Sequence, residues 1–466
     1  MSPEPPSKSR SRRPDARAMP AVLCALVLSA TFTLPGCGER ASAGARPAAD
    51  EEAATSSSSA ADPAAALPAC DPDDGGLTLP DGFCALVVAR DVGGARHLAV
   101  RANGDVFVAQ GDRSGGVTAL RDTSGDGRAD VRSHFGEDPA TGIALRDGWL
   151  YVGTNGRVVR WPMDEGALEP SGPAQTIVDG LPAHYHAAKS LAFDDRGHMY
   201  VNIGSPSNSC QEQDRVKGSP GIDPCPQLET RAGIWRFDAE RQGQTEADGT
   251  RFATGLRNTV ALARNPIDGE LYGVVHGRDQ LYQNWPKYFT AEESAVLPAE
   301  KFVRLHDGDD YGWPYCFWNE LEGRWILNPE YGGDGKKQGR CADLRREPLI
   351  GFPGHWAPDG LLFYTGSRFP GRYRGGAFIA FHGSWNRAPQ PQAGYRVVFV
   401  PFRDGSPAVS DTSTFANGFA GGDVGPGSAD HRPVGLAQGP DGSLYVSDDQ
   451  AGTIWRVAYR GSGSGR

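Results

Sequence analysis

A single short loop carries two imidazoles and an amine, His184-Tyr185-His186-Ala187-Ala188-Lys189-Ser190, directly ahead of the apolar triplet at 191–193. An imidazole titrates at about pH 6.5 when unperturbed, so His186 is a candidate general base near neutrality. The same loop would also serve as a solvated turn with hydrogen-bonded histidines. Gly255-Leu256-Arg257-Asn258 sits at a second loop–strand junction, where fixed Arg and Asn donors suit a carboxylate or a developing oxyanion. His276-Gly277-Arg278-Asp279-Gln280 follows another apolar run. There Gly277 allows close backbone approach, and Asp279 could hold a calcium ion or a turn. A fourth group joins Asp310-Tyr311-Gly312-Trp313-Pro314-Tyr315-Cys316 to His382-Gly383-Ser384-Trp385-Asn386-Arg387. Aromatic rings set among Gly and Pro are flat platforms for sugars or planar cofactors, or simple packing between sheets. Asp122 to Asp130 imitates the start of a calcium loop, but Ser133 stands where the bidentate Glu would close it. An Asp-decorated turn is expected there.

These loops need a scaffold, and one repeated phrase builds it. RANGDVFVA at 101–109, LRDGWLYVG at 145–153, DDRGHMYVN at 194–202, PIDGELYGV at 266–274 and GPDGSLYVS at 439–447 each join a Gly-closed polar turn to an alternating strand. RGGAFIAFHG at 374–383 is a weaker sixth copy. The first three turn glycines recur at a spacing of about one four-stranded propeller blade. Wider spacing later in the chain reads as insertions. The expected fold is all-β: a six-bladed β-propeller of four-stranded antiparallel blades. No long stretch shows the apolar period of a helical solenoid.

Composition agrees with a loop-rich β protein: 62 Gly and 36 Pro in 466 residues, 39% hydrophobic. The net charge of −10, with no basic run in the globular part, speaks against nucleic acid as a partner. The first 37 residues follow the order of an export signal: Arg10, Arg12, Arg13 and Arg17, an apolar stretch from Ala21 to Leu34, then Leu34-Pro35-Gly36-Cys37. The last four resemble a bacterial lipobox, which would make Cys37 a lipid anchor in the cell envelope; ordinary cleavage nearby is the alternative. Residues 38–69 are poor in large apolar side chains and read as a disordered tether. The propeller is expected over 70–459, with a flexible tail at 460–466. Six cysteines then remain, Cys70, Cys84, Cys210, Cys225, Cys316 and Cys341. In an exported chain they read as disulfides. Of fifteen possible pairings, the local ones, 70–84, 210–225 and 316–341, need least rearrangement between blades.

Taken in order, HAAKSLAFDDRGHMYVNIG, GLRNTVALARNPIDGELYGVVHGRDQL, GDDYGWPYC, YRGGAFIAFHGSWNR and HRPVGLAQGPDGSLYVSDD resemble the soluble quinoprotein sugar dehydrogenases. These are the pyrroloquinoline quinone (PQQ)-dependent glucose and sorbosone dehydrogenases, and the match stands nearer the sorbosone-type branch. The resemblance covers roughly 77–459. It implies PQQ lying flat over the channel beside a calcium ion. It places the catalytic base on His186, the Arg-Asn pair near the reacting quinone carbonyl on Arg257 and Asn258, and calcium-binding backbone carbonyls on Gly277 and Arg278. Trp313 would lie near cofactor or sugar. Glucose-type enzymes keep an Asp before the base, where this chain has Tyr185, so another group must orient the imidazole. Their Lys and paired Arg for the cofactor carboxylates have no clean counterpart; Arg387, Arg432 and Lys189 are the substitutes.

The expected activity is oxidation of a sugar or related alcohol or aldehyde by hydride transfer to PQQ, with His186 as base and calcium assisting. Electrons must leave to an external carrier protein or quinone, since no C-x-x-C-H haem motif occurs. Two other classes fit a six-bladed propeller: a non-catalytic glycan- or protein-binding module, and a calcium-dependent, lactonase-like hydrolase.

Overall fold

The computed structural model describes residues 67–461. The signal segment with Cys37, most of the expected tether, and the end of the tail lie outside the described residues. Among these residues six sheets follow one another as blades. The first comprises Ala95–Val100, Val106–Gln110, Val117–Arg121 and Val131–Phe135. The second comprises Ala140–Arg146, Trp149–Thr154, Val158–Pro162 and Gln175–Asp179. Leu191–Phe193, His198–Ile203, Gly233–Asp238 and Thr250–Thr254 form the third. Ala261–Arg264, Leu271–Val275, Glu300–Leu305 and Ile350–Phe352 form the fourth. The fifth is Pro358–Phe363, Ala377–Phe381, Arg396–Val400 and Ser413–Ala416. Pro433–Gln438, Leu444–Asp448 and Ile454–Tyr459 make the sixth, and the N-terminal strand Phe83–Ala89 completes it as the outermost strand.

The fold is thus a six-bladed β-propeller, with two departures from uniform four-stranded blades. Gln244–Thr245 adds in parallel to the second blade and Asp309–Asp310 adds in parallel to the third. Each inner strand packs on those of the flanking blades, and the first meets the sixth, so the ring closes. Closure leaves no open inner edge. It is reinforced by Phe83, whose ring meets Phe369, Tyr373 and Phe415 of the fifth blade edge-on. Such pairs contribute about 0.5–1.5 kcal/mol each beyond their burial.

The repeated phrase is the hairpin between first and second strands of each blade. Its glycines, Gly104, Gly148, Gly197, Gly269, Gly375 and Gly442, all have φ between 76° and 93°, a conformation that costs a side-chain-bearing residue. The second strands that follow, such as Val106–Gln110 and Leu444–Asp448, are buried throughout because neighbouring blades cover both faces. The three local disulfides, Cys70–Cys84, Cys210–Cys225 and Cys316–Cys341, are present. The Asp122–Asp130 segment is a turn, as expected: the Asp122 carboxylate accepts from the Gly125 and Gly127 amides at 2.7 Å, and Asp130 accepts from Thr123. Among the described residues no helix is long and apolar enough to cross a membrane.

Candidate active site

With the repeated hairpins all at one mouth, the opposite mouth gathers the starts of the inner strands and the ends of the second strands. The loops of His186, Arg257 and Arg432 enter inner strands there, and His276, His382 and Asp449 leave second strands there. Four inner strands shift register just inside this mouth: between Ala95 and Leu98, Ala140 and Gly142, Pro358 and Gly360, and Pro433 and Leu436. A bulge breaks the strict alternation of a strand and re-aims side chains. Here it sends Arg96 and Asp359 to an open cavity of about 550 Å³, whose wall also includes His186, Asn258, His276 and Asp449.

The His186 ring is held by Ser205. Its Nδ1 lies 2.7 Å from the Ser205 carbonyl oxygen and 3.1 Å from the Ser205 hydroxyl. A carbonyl only accepts, so Nδ1 carries the proton and Nε2 presents a lone pair. This carbonyl takes the orienting place that an Asp at position 185 would fill. Burial, and then the nearby Arg257 cation, hold the His186 pKa at about 3. The ring is therefore neutral at ordinary pH. Gly204 makes room for it, since a Cβ there would come within 2.4 Å of the His186 Cβ and 2.9 Å of Asn258 Oδ1.

Arg257 is buried and spans three groups. Nη1 donates to the Gly277 carbonyl at 2.9 Å, Nε to the Asn208 carbonyl at 3.2 Å, and Nη2 to Asp279 at 3.1 Å. Burial alone would raise the Asp279 carboxyl, but Arg257, with His355 and Arg215, holds it well below the usual range. Asn258 Oδ1 accepts from Asn202 at 3.2 Å, and Asn202 Nδ2 also donates to the Ala188 carbonyl. The base loop and the Arg-Asn loop therefore share hydrogen-bonded partners.

The first, fourth, fifth and sixth blades meet in a charged network that the sequence did not reveal as a unit. Arg96 donates to Asp449 at 2.7 Å and lies 3.3 Å from Asp359. His382 Nε2 is 2.7 Å from Asp449, and His276 Nε2 is 3.1 Å from Asp359. His97 Nε2 reaches the Asp359 carbonyl at 2.7 Å, and burial lowers its pKa to about 4. For His276, burial is outweighed by Asp359 and Glu300, which raise the pKa. Gln110, at the same end of the first blade's second strand, has both amide atoms buried and without a hydrogen-bond partner.

Other candidates lie elsewhere than a ligand-facing role requires. The Lys189 side chain is fully buried and donates to the Pro182 and Ala187 carbonyls. Trp313 is 4% exposed, packs with the Cys210–Cys225 disulfide and donates to the Asn208 carbonyl. Arg387 pins three backbone carbonyls, those of Pro391, Ala295 and Gly354. The Arg278 guanidinium is buried against Glu330, with Nη1 at 2.6 Å and Nη2 without a hydrogen-bond partner among the described residues, and the calcium role expected of this residue falls to its backbone carbonyl. Arg432 is different. It is half-buried at the mouth, its Nε and Nη2 bond the His382 and Gly383 carbonyls, and Nη1 has no partner among the described residues.

A family model described as TrAA12-like matches residues 77–460. The chain belongs to this family. Its members are AA12 PQQ-dependent oxidoreductases. Among curated relatives, the PQQ-dependent pyranose dehydrogenase of Coprinopsis cinerea is 26% identical over 433 residues, 82% of this chain and 52% of that protein. The chain thus spans about half the length of that relative. Among solved structures, the holo PQQ domain of the C. cinerea enzyme aligns with a TM-score of 0.66 at 21% identity, covering 84% of this chain and 98% of the domain. A calcium structure of the family AA12 enzyme of Trichoderma reesei aligns with a TM-score of 0.67 at 20% identity, covering 82% and 97%. Both share the fold of this TrAA12-like chain.

Proposed function

We propose that the chain is an exported quinoprotein that oxidises a sugar, or a related alcohol or aldehyde, by hydride transfer to PQQ with calcium present. The single observation that carries this reading is the His186 ring. Its proton is fixed on Nδ1 by Ser205, its Nε2 lone pair is left at the cavity, and Arg257 and Asn258 stand beside it.

The residues present fit the cofactor. A cavity of about 550 Å³ lies within the range of small-molecule sites. Asp359 and Asp449 pair with Arg96 in its wall, while Asn258 also lines it and Arg432 Nη1, at the same mouth, lacks a protein partner among the described residues. These donors suit a planar tricarboxylate. Calcium takes oxygen ligands, and the Gly277 and Arg278 carbonyls would supply them. When bound, PQQ would supply a two-electron hydride acceptor and calcium a Lewis acid.

The chain does the rest. His186 Nε2 takes the hydroxyl proton as the C–H bond breaks, and the Ser205 carbonyl stabilises the imidazolium that forms. Arg257, fixed by four hydrogen bonds, provides a preorganised positive field for charge growing near it. An external carrier protein or quinone would then take the electrons.

The C. cinerea protein is named as a PQQ-dependent pyranose dehydrogenase and a relative from Hypocrea jecorina as a PQQ-dependent sugar dehydrogenase, which supports the sugar class. Sorbosone-like specificity rests on the sequence stretches alone. The three disulfides support an oxidising compartment, in keeping with export and an anchor at Cys37. The hydrolase reading needs converging metal-binding side chains, and among the described residues no such group of His, Cys, Asp or Glu assembles. Titrating the apo-protein with PQQ and calcium, while following absorbance and dye reduction over an aldose panel, tests the proposal. Bound-cofactor absorbance with sugar-dependent reduction is expected. Neither signal, or lactone turnover without PQQ, overturns it.

A further inference from the structure

We propose that Lys189 is a positioning residue for His186: its buried ammonium ties together the two ends of the loop that presents the imidazole, and turnover depends on that tie. Lys189 Nζ donates to the Pro182 carbonyl at 2.8 Å and to the Ala187 carbonyl at 2.6 Å. These acceptors lie on either side of His186 in the chain. From outside the loop, Asn202 donates to the Ala188 carbonyl and Ser205 fixes the His186 ring. No helix or strand runs from 181 to 190, and within the loop one backbone bond forms, from the Ala187 amide to the Tyr185 carbonyl at 2.7 Å. Tyr185 itself has φ of 62° and is 67% exposed, so packing does not fix it. A bulky residue in that region of φ is strained and persists only where its surroundings impose it.

The root of Lys189 is immobile. Its carbonyl lies against the second blade, where a Cβ on Gly142 or Gly153 would come within 2.2 or 2.1 Å of that oxygen. From this wedge the side chain reaches back under the loop with no exposed surface. Among the described residues no carboxylate pairs with it. The charge acting on it is that of Arg231, of the same sign, which itself donates to the His184 carbonyl at 3.3 Å. A buried cation without a counter-charge is unfavourable to the fold. Its gain here is two charge-assisted bonds that fix the segment on both sides of the base. A methionine would fill the space and leave both carbonyls without a donor.

The inference rests on His186 being the base, so the test reads the His186 ring in the apo-protein separately from turnover. Lys189→Met and Lys189→Gln are made in the full chain, with ring ¹⁵N–¹H correlations assigned by loss of signal in His186→Asn. The parent is expected to show a neutral ring with its proton on Nδ1. In Lys189→Met that pattern gives way to averaged tautomers, and kcat falls about 100-fold, the scale of a misplaced catalytic group. The affinity for added PQQ and KM change by less than about threefold, because the lost interaction lies in the transition state. Lys189→Gln, which keeps one donor, recovers part of both signals. A Met variant with the parent's ring spectrum and kcat overturns the inference. Should that variant fail to fold by circular dichroism, the Gln variant decides by the same readings. A parent that neither binds PQQ nor turns over overturns the functional reading instead, and the ring spectra still decide the role of Lys189.

Discussion

His186 Nδ1 lies 2.7 Å from the carbonyl oxygen of Ser205, and the Ser205 amide donates to the Arg257 carbonyl at 2.7 Å. One residue thus sets both the candidate base and the neighbouring cation. Burial and Arg257 hold His186 at about 3, so its base form persists through the neutral range. kcat/KM is expected to show no acid limb at the ordinary histidine value, and to decline on the acid side only at about pH 4 or below. A pH–rate profile with a limb at about 6.5 would place the essential base in another environment. His186→Ala should lower kcat by about 10²–10⁴-fold while PQQ still binds.

Gly204 offers a way to move the base without touching it. A methyl group there would meet the His186 Cβ at 2.4 Å and Asn258 Oδ1 at 2.9 Å. The His186 contact is backbone-proximal, so the ring must shift rather than rotate aside. Gly204→Ala is expected to keep the propeller's circular dichroism and lower kcat by about tenfold or more, as loss of near-attack geometry does. Parent-like kcat would show that the ring's placement is not critical.

The repeated phrase was sufficient for the architecture because each copy needs a glycine at positive φ, and that local need is visible in sequence. The His186 and Arg257-Asn258 loops were legible for a related reason: each precedes an inner strand, so the repeat places them at one mouth. The Arg96–Asp449 pair was not. Its partners are 353 positions apart, and the bulge that re-aims Arg96 leaves no mark that alternation can show. Cations were misleading in a different way. Lys189 and Arg387 look like anion ligands in sequence, yet the fold buries each against backbone carbonyls. Only burial separates a staple from a binder.

The Arg96 network should also govern acid stability. Burial works against the Asp359 carboxylate, yet Arg96 and His276 hold its pKa well below the usual range; burial likewise opposes Asp449, which His382 and Arg96 hold at about 2. Both are lower folded than unfolded, so their stabilisation is complete above about pH 4 and is lost as pH falls toward 2. Denaturant midpoints taken from pH 5 to about pH 2 should fall across that window. Arg96→Met leaves Asp359 and Asp449 short of a partner and should cost about 3 kcal/mol near neutrality, with a shallower acid loss. An unchanged midpoint would mean that the pairs contribute nothing net.

Lys189 makes the opposite linkage. Burial, and then Arg231, hold its ammonium at about 7 in the fold, against about 10.4 in an open chain. Between those values the unfolded state binds more protons, so this group's contribution to stability rises with pH across the window. Below pH 7 both states are protonated and the full burial penalty applies. Lys301, also buried and also held at about 7, adds a second contribution of the same sign. Urea midpoints at about pH 7 and pH 9 should therefore show a rise that Lys189→Met reduces without abolishing. A slope identical in the variant would mean that Lys189 titrates as an exposed lysine, and the tie beneath His186 would then lack the buried charge that gives it strength.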